Sequence, residues 1–444
     1  MSSPSAPESA ATDRRTPGST AGLEQTVAEH AEVVLDWRAK GFAGAGITVG
    51  DLRASGRPLS SLGSPLMIID RSATQANITG MNAWCAEHGA VLAPHGKTTM
   101  APSLWLDQLR AGCVAITVAN AFQLRVARAV GVPDVIVANE LVDPTELAWI
   151  GAELDRDPSF GLVCWVDSVA GVQRMQQALA GQGTRPLDVC VEVGGVGGRA
   201  GARDPETVRE VAEAAVAADR LRLVGISCYE GAVPGIGADA DGLAIVDAFL
   251  AEVAEIHRGL KDLYQDDRVL VTAGGSAHFD RVAAAFAGLG PEVDLVIRSG
   301  AYAVHDDLHY AEVTPSTRGA GPELIPAIST WATVLSRPEP GRVIIDAGRR
   351  DVPFDQDLPI VLEARRRGDH GLVRIEPGPT TVISLNDQHG YVDVAADSEL
   401  AVGDLVRLGL SHPCTAFDKW RVIGVVDSND ADDPSVVDAV LTYF

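Results

Sequence analysis

Cysteine is scarce in this chain. Six cysteines are scattered over 444 residues, and four of them lie inside apolar, β-like runs. Buried, widely spaced thiols of this kind are typical of reduced core residues and not of a disulfide framework. Since disulfide-free chains are usual in reducing compartments, this distribution favours the cytoplasm.

Long apolar runs are also missing. No segment approaches the roughly 20 consecutive apolar residues that a membrane-spanning helix needs. Residues 1–21 are rich in Ser, Pro, Ala and Thr and contain no apolar core of a signal peptide. We therefore expect a disordered tail over residues 1–22 and no membrane partner.

Basic residues are outnumbered by acidic ones. The chain has 36 Lys and Arg against 60 Asp and Glu, which gives a formal net charge of −24. Because nucleic acids and anionic membrane surfaces are themselves negative, this charge argues against both as partners. An apolar content of 46% is typical of a soluble globular enzyme, and the length suffices for two or three domains.

What the sequence does contain is a regular alternation of apolar, β-branched runs with amphipathic stretches. A helical segment is predicted for residues 23–61, with its helix at Leu23–Lys40, and a strand at Leu66–Ile69 precedes a helix at Ala73–Glu87. Eight more predicted strands follow, most of them separated by helices: Leu92–Lys97, Cys113–Ala119, Val135–Asn139, Leu162–Val166, Leu187–Val193, Leu221–Cys228, Val269–Ala273 and Val293–Ile297.

This alternation predicts the fold class. Near-continuous apolar strands separated by helices indicate a parallel sheet that is covered on both faces. Eight repeats are the number that closes a (β/α)8 barrel, in which the chemistry collects at the carboxyl ends of the strands. We therefore predict an α/β protein with a TIM-type (β/α)8 barrel over residues 71–314. A doubly wound open sheet is the alternative.

Residues 315–444 have a different character, because short strands alternate there with glycine and proline turns. This pattern predicts a C-terminal, mostly antiparallel β domain. Its predicted strands are Thr330–Leu335, Arg342–Asp346, Leu372–Glu376, Thr381–Leu385, Tyr391–Val394, Leu405–Gly409 and Trp420–Val426.

A lysine ends the first barrel strand, in the stretch Pro94-His95-Gly96-Lys97-Thr98. A lysine at the end of a buried strand loses water, which lowers the pKa of its ammonium and favours the nucleophilic amine. Such an amine can form a Schiff base, which is how pyridoxal phosphate is anchored. From its position alone, an ordinary surface lysine at a strand edge is the simpler interpretation.

Glycine-rich loops follow three other strands. Strand five runs into a loop with a single arginine, Arg199, while strand seven ends at Gly274-Gly275-Ser276 and strand eight at Arg298-Ser299-Gly300-Ala301. In such barrels the loops after strands seven and eight often hold a phosphate, because glycines let backbone N–H groups approach its oxygens. A single glycine turn would be weak evidence, but two in the expected places are better. His305, Asp306 and Asp307, further along, are interpreted as solvated loop residues.

The β domain contains a possible metal motif. His412 and Cys414 lie two residues apart in a predicted turn, and an imidazole and a thiolate so spaced can bind one Zn²⁺. Two protein ligands would leave positions open for water or substrate, as a catalytic metal requires. Alone, a His-x-Cys pair is most often a chance occurrence.

Together these features resemble the D-serine dehydratase and D-threonine aldolase group of fold-type III pyridoxal phosphate enzymes, which share the alanine racemase-type barrel. The resemblance covers about residues 62–444, and its most specific parts are the stretches around Lys97 and His412. It implies that Lys97 carries the cofactor and that the strand within residues 62–70 joins the β domain. It also implies a phosphate site and a phenolic-oxygen contact: Gly274, Gly275, Ser276, Gly300 and Ala301 for the phosphate, and Arg199 for the oxygen.

The partner of the pyridine nitrogen stays open. Tyr229, at the end of strand six, matches the tyrosine of the dehydratases, whereas Arg298 is similar to the racemase arginine. Neither side chain readily donates a full proton to the ring, so the carbanion would be less delocalised than with a carboxylate partner. This favours a reaction whose leaving group departs promptly.

The metal motif helps to choose the reaction. In the dehydratases the ligands are His-x-Cys, whereas the aldolases look like His-x-Asp with an ion such as manganese. His412 and Cys414 therefore imply zinc and a D-amino acid deaminase of the D-serine dehydratase type, which converts a D-β-hydroxy amino acid to a 2-oxo acid and ammonia. The resemblance also implies a homodimer. D-threonine aldolase-type cleavage is the nearest alternative, and a racemase or a non-catalytic cofactor-binding protein ranks lower.

Overall fold

The computed structural model describes residues 18–42, 44, 46–369 and 371–444. Most of the predicted tail, residues 1–17, lies outside the described residues. Residues 18–22 are described, and the first helix, Ala21–Glu29, begins inside the predicted tail.

The prediction of one helix through Lys40 was wrong. After Ala21–Glu29 come a single 3₁₀ turn and a short strand, Val34–Leu35, which pairs antiparallel with Ile47–Thr48. The Asp36 carboxylate accepts a hydrogen bond from the Arg38 backbone N–H at 2.9 Å. Aspartate side chains that bind nearby backbone in this way compete with helix formation, which favours a turn around Asp36 over the helix predicted there. A second helix, Val49–Ser55, follows.

Eight parallel strands form the barrel that the sequence predicted. The second to eighth strands each pair with the next along the chain, and the eighth pairs with the first. Backbone hydrogen bonds close the ring between the first two strands, from Val114 N to Leu92 O at 2.8 Å and from Thr117 N to Pro94 O at 2.9 Å. The (β/α)8 prediction is therefore confirmed and the open-sheet alternative is wrong. The strands are β1 (Val91–Leu92), β2 (Ile116–Val118), β3 (Asp134–Glu140), β4 (Gly161–Val166), β5 (Leu187–Val193), β6 (Leu221–Cys228), β7 (Val269–Ala273) and β8 (Val293–Ile297).

Helices cover the outside of the barrel, and most begin at a side-chain cap. Asn120, Asp143, Ser168, Asp204 and Asp239 each accept a hydrogen bond from the first turn of the helix that they precede. The helix Arg71–Glu87 leads into β1. The helices after the strands are α1 (Pro102–Arg110), α2 (Ala121–Ala129), α3 (Pro144–Arg156), α4 (Val169–Leu179), α5 (Pro205–Val216), α6 (Ala240–Gly259), α7 (Phe279–Phe286) and α8 (His309–Val313).

A second sheet of eleven strands follows, and it is mostly antiparallel as predicted. Two segments from before the barrel belong to it, Arg57–Pro58 and Leu66–Asp70, and the latter pairs antiparallel with β9 (Ile328–Glu339). The same segment runs parallel to a late strand, Val422–Val426. The other strands of this sheet are β10 (Arg342–Ile345), β11 (Ile360–Gly368), β12 (Gly371–Ile375), β13 (Thr380–Leu385), β14 (Gly390–Val394), β15 (Leu405–Gly409), β16 (Val422–Val426) and β17 (Ser435–Leu441).

The second sheet packs beside the carboxyl end of β1. Ala101, Leu104 and Val304 from the barrel belong to the apolar core of the sheet. After β17, Tyr443 donates its backbone N–H to Met100 O at 2.9 Å, and its hydroxyl lies 3.0 Å from His30 Nε2. The loops of the sheet are thereby held against the residues that follow Lys97. Among the described residues, no helix combines the length and apolarity needed to cross a membrane.

Candidate active site

A cavity of about 570 Å³ lies at the carboxyl end of the barrel, where the second sheet meets it. All of the predicted site residues line this cavity: Lys97, Arg199, Tyr229, Gly274, Gly275, Ser276, Arg298, Gly300, Ala301, His412 and Cys414. The barrel contributes all of them except His412 and Cys414, which come from the loop after β15. The structure thus brings the separate sequence motifs into one site.

Lys97 lies in a single 3₁₀ turn, Gly96–Thr98, directly after β1. Gly96 is required there, since a Cβ atom would lie 2.6 Å from Ile116 Cγ2 and 2.7 Å from Trp105 Nε1. Burial lowers the pKa of Lys97; the nearby Cys414 opposes this, while the charges of Arg199 and Arg298 add to it. No described residue accepts a hydrogen bond from Lys97 Nζ. The site therefore favours a free, reactive amine.

The two glycine loops lie beside this lysine. A Cβ on Gly300 would lie 2.5 Å from His95 O, and one on Gly275 would lie 2.9 Å from the Tyr229 ring. However, the N–H groups of Gly274 and Gly275 donate to the fully buried carboxylate of Glu230, at 3.1 and 2.8 Å.

Glu230 therefore occupies two donors that the sequence assigned to a phosphate. The other members of the predicted phosphate cradle are Ser276, Gly300 and Ala301. Sequence reasoning missed Glu230, because the local pattern around it gives no sign that its carboxylate reaches the next loop.

Arg298 and Tyr229 differ in how fully they are engaged. Arg298 is buried, and its terminal nitrogens donate to Thr272 Oγ1 at 2.6 Å and to Cys228 O at 2.7 Å. The Tyr229 hydroxyl has no hydrogen-bond partner among the described residues. The Arg199 guanidinium carbon lies 5.1 Å from the centroid of the Tyr229 ring, and burial raises the pKa of the Tyr229 phenol. Tyr229 is therefore the freer of the two.

The metal motif lies next to the lysine turn. Thr98 Oγ1 and Cys414 Sγ are 3.2 Å apart. His412 Nδ1 lies 2.6 Å from Asp355 Oδ2, and Thr415 Oγ1 donates to the other oxygen of Asp355 at 2.6 Å. Burial lowers the pKa of His412, but its contacts with Cys414 and Asp355 outweigh burial and raise this pKa to about 9. Because Asp355 binds Nδ1, it leaves Nε2 as the nitrogen for a ligand.

The donor set is small. Nowhere in the described ranges do three or more His, Cys, Asp or Glu side chains group so that they could hold a metal ion. His412 and Cys414 therefore fit an open site with two protein ligands, and not a closed structural site.

Further residues line the cavity that the sequence did not single out. His309 and Tyr310 come from α8, and each ring centroid lies 6.2 Å from that of His412. Gln356 also lines the cavity. The interpretation of His305 and Asp306 as solvated loop residues was wrong, because both are buried and Asp306 binds the backbone of α8. Asp307 is partly buried. No local sequence signal marks these positions, because α8 and the loop that carries Gln356 reach the cavity through tertiary contacts.

A pair of carboxyl groups lies at the ends of β3 and β5. Burial, with a hydrogen bond to Glu192 and the charges of Glu192 and Asp167, raises the pKa of Glu140 to about 8. Glu192 lines the cavity. The Glu140 carboxyl therefore takes up a proton more readily than a solvent-exposed glutamate does.

The lysine at the end of β1, the glycine loops of β7 and β8 and the attached antiparallel sheet define the alanine racemase-type, fold-type III class of pyridoxal phosphate enzymes. The chain belongs to the family described as alanine racemase, N-terminal domain, whose model matches residues 69–298. Residues 327–426 match a second family model, described as putative serine dehydratase domain. The family predicted from the sequence is confirmed.

Known relatives agree with this assignment. The chain is 28% identical to a D-threonine aldolase of an Arthrobacter species over 385 residues, which are 85% of this chain and 93% of the relative. The structure of D-threonine aldolase from Filomicrobium marinum superposes with a TM-score of 0.72 at 22% identity and covers 87% of this chain and 97% of that one. D-threo-3-hydroxyaspartate dehydratase from Delftia sp. HT23 gives a TM-score of 0.65 at 21% identity, with 87% and 99% covered. The predicted class, a pyridoxal phosphate-dependent lyase, is confirmed at this level.

Proposed function

We propose that this protein is a D-serine dehydratase-like lyase, a D-amino acid deaminase that uses pyridoxal phosphate and Zn²⁺. Its substrate is a D-β-hydroxy amino acid, and its products are a 2-oxo acid and ammonia. The contact of 3.2 Å between Thr98 Oγ1 and Cys414 Sγ carries this proposal, because it joins the lysine turn to a His-x-Cys motif inside one cavity.

The residues present fit pyridoxal phosphate. The cavity of about 570 Å³ is in the range usual for small-molecule sites. Lys97 would anchor the cofactor, and Ser276, Gly300 and Ala301 would bind its phosphate. Arg199 would face its phenolic oxygen, and Tyr229, as the freer of the two candidates, would face its ring nitrogen. When bound, the cofactor supplies an electron sink for the bonds at the substrate Cα.

The His-x-Cys motif fits zinc better than a harder ion. A thiol and an imidazole suit Zn²⁺, and the Asp355 contact to His412 Nδ1 is the usual support of a histidine ligand. A zinc ion held by His412 and Cys414 would supply Lewis acidity toward the β-hydroxyl group of the substrate.

Lys97 performs the proton chemistry in this proposal. With the cofactor and substrate bound, the freed amine of Lys97 would accept the proton from the substrate Cα. Loss of the Cβ hydroxyl follows, and the Lys97 ammonium can return its proton so that the hydroxyl leaves as water. Hydrolysis of the unsaturated product gives the 2-oxo acid and ammonia. D-Serine would yield pyruvate.

Retro-aldol cleavage is the second candidate, and the name of the Arthrobacter relative supports it. It needs the proton of the β-hydroxyl group to be removed instead of the one on Cα. Racemisation needs a second base on the opposite face from Lys97. Tyr391 and Tyr443 do not line the cavity, although Tyr310 does. A non-catalytic cofactor-binding role leaves the second sheet without a purpose.

A paired assay tests these alternatives. Purified protein is incubated with D-serine or D-threonine, and 2-oxo acid, aldehyde and substrate chirality are followed separately. Measurements are repeated after chelation and after addition of Zn²⁺. We expect pyruvate and ammonia from D-serine. This activity should be lost on chelation and recovered when Zn²⁺ is added. Acetaldehyde and glycine from D-threonine would establish the aldolase instead, and formation of L-serine would establish a racemase.

We further propose a homodimer that acts in the cytoplasm on a small D-amino acid. Five of the six cysteines are buried, and the described residues contain no disulfide, which supports a reducing compartment. The net charge of −24 supports the absence of nucleic acid and anionic membrane partners. Light scattering of the purified protein would measure the oligomeric state, and a mass equal to one chain would contradict the dimer.

A further inference from the structure

The loop after β5 is rich in glycine. Placing the Arg199 side chain in the cavity does not by itself require so many glycines. The loop, residues 194–202, returns to the strand that it leaves. Gly194 N donates to Ala202 O at 3.0 Å, and Ala202 N donates to Glu192 O at 2.8 Å. Both ends of the loop are thus fixed to the carboxyl end of β5. Inside it, Gly198 N donates to Gly195 O at 3.0 Å and Gly201 N to Asp167 Oδ2 at 3.2 Å, but most of its carbonyls need a further partner.

That partner is Arg203, the residue directly after the loop. Its guanidinium donates to the backbone carbonyl of Gly195 at 2.7 Å, and to those of Gly198 and Ala200 at 3.2 Å each. It also donates to the carbonyl of Arg199 itself. No described carboxylate pairs with Arg203. Within the part of the chain that the structure describes, Arg203 binds loop carbonyls alone.

The glycines make room for this arrangement. A Cβ on Gly194 would lie 2.1 Å from Ala200 O and 2.3 Å from Arg203 Nη1. Gly197 and Gly201 have φ angles of +75° and +102°, which residues with side chains rarely adopt. The glycine content of the loop therefore follows from its being folded around a guanidinium.

The arrangement determines where Arg199 lies. The carbonyls of Gly198, Arg199 and Ala200 all turn toward the Arg203 guanidinium, while the Arg199 side chain lines the cavity over the Tyr229 ring. Arg199 has no ion-pair or hydrogen-bond partner of its own among the described residues. Its place over Tyr229 depends on the backbone that Arg203 holds.

We propose that Arg203 is a positioning residue for the cofactor, because it holds the 194–202 loop so that Arg199 presents its charge to bound pyridoxal phosphate. This inference rests on the proposed function, since it requires the protein to bind that cofactor. Arg203 itself acts only through the loop.

The chain offers a matched control. Arg220 also donates to four backbone carbonyls, those of Leu179, Gln182, Gly183 and Arg185. These belong to the connection from α4 to β5, at the other end of the barrel from the cavity. Arg203→Ala and Arg220→Ala therefore remove the same kind of contact in two places, only one of which adjoins Arg199.

The experiment measures the dissociation constant of pyridoxal phosphate by spectral titration of the cofactor-free protein. We expect Arg203→Ala to weaken binding at least about tenfold, the loss expected for one charge-assisted hydrogen bond. Arg220→Ala should change the dissociation constant by no more than about twofold. Arg203→Lys should also weaken binding, since a single ammonium keeps the charge but cannot span four carbonyls. If Arg203→Ala does not fold, the lysine variant provides the test.

A double-mutant cycle shows whether Arg203 acts through Arg199. In an Arg199→Ala background, the further change Arg203→Ala should cost little additional affinity. Three results would each overturn the inference. They are additive losses of affinity in the double variant, unchanged affinity in Arg203→Lys, and equal losses of affinity in Arg203→Ala and Arg220→Ala. Absence of binding by the unaltered protein would overturn the proposed function as well, so the two failures are distinguishable.

Discussion

Gly96 determines where Lys97 can lie. The turn packs so closely on Ile116 and Trp105 that even a methyl group has no space, as the distances of 2.6 and 2.7 Å show. The Trp105 indole also donates to Gly96 O at 3.3 Å. The position of the reactive amine therefore depends on a residue that carries no side chain.

Gly96→Ala should destabilise the protein and weaken cofactor binding together. Overpacking of this kind typically costs about 1–3 kcal/mol in the free energy of unfolding, and the displaced turn moves Lys97. Urea unfolding and spectral titration with pyridoxal phosphate measure the two effects. Gly259→Ala is the control, because a Cβ at Gly259, at the end of α6, meets no atom within 4 Å. Equal behaviour of the two variants would contradict this account of the turn.

Cys414 should decide the metal preference. In Cys414→Asp a hard carboxylate replaces a thiol, which moves the preference from zinc toward manganese. Metal content after dialysis against each ion and activity after each add-back measure the shift. Cys414→Ser, which lacks a comparable anionic ligand, should bind both ions weakly. Retention of a strict zinc preference by Cys414→Asp would argue against Cys414 as a ligand.

At the scale of elements, α8 is held in place by one buried carboxylate. Asp306 Oδ1 accepts hydrogen bonds from the backbone N–H groups of Leu308, Tyr310 and Ala311, at 3.3, 2.8 and 3.3 Å. The preceding residue, His305, has a φ of +37°, which is uncommon outside glycine. This turn carries His309 and Tyr310 to the His412 ring, so Asp306 shapes the metal side of the cavity from outside it.

The same carboxylate should make stability depend on pH. Burial raises the pKa of Asp306 from 3.8 to about 7, so between these pH values the folded protein holds a proton that the unfolded chain releases. The free energy of unfolding therefore falls as pH rises through this window. Asp306→Asn does not titrate and should lose less stability than the unaltered protein between pH 5 and pH 8. Thermal unfolding at both pH values measures the difference. An equal loss of stability in the variant and the unaltered protein would contradict this role of Asp306.

Local sequence signals predicted some elements well and others poorly. The strands β5 to β8 follow the predicted boundaries, and the helix predicted at Ala73–Glu87 is present as Arg71–Glu87, because apolar periodicity and capping residues act within each element. β11 was missed, since it carries Glu363 and three consecutive arginines. One of them, Arg365, is buried against the Trp331 ring at 4.8 Å and pairs with Glu363. Glu363 is a near neighbour, but Trp331 is distant in sequence, so the burial of this charged strand could not be read from its local pattern.

At the scale of the whole molecule, the site could be predicted only in part. Lys97, the glycine loops and the His-x-Cys pair carry recognisable local patterns, and all of them line one cavity. Asp355, Tyr310 and Glu230 reach the site only because the second sheet docks on the barrel and loops of neighbouring strands meet. Their roles depend on tertiary contacts that no local pattern encodes.

The contact of Tyr443 with Met100 predicts long-range support of the lysine turn. Removal of residues 442–444 deletes the hydrogen bond of 2.9 Å to Met100 O and should weaken pyridoxal phosphate binding severalfold, while far-ultraviolet circular dichroism stays unchanged. Tyr443→Phe is the control, because it loses the hydroxyl contact with His30 but keeps the backbone N–H. Unchanged affinity after the truncation would show that the turn holds without this contact.

The two parts of the cavity have separate origins in the chain. The barrel supplies Lys97 and the cradle for the cofactor, whereas the second sheet supplies His412, Cys414 and Asp355. A change confined to one loop of the sheet can therefore alter which bond breaks without disturbing how the cofactor is held. A chimera that joins this barrel to the sheet of another lyase would therefore be a direct route to a different product.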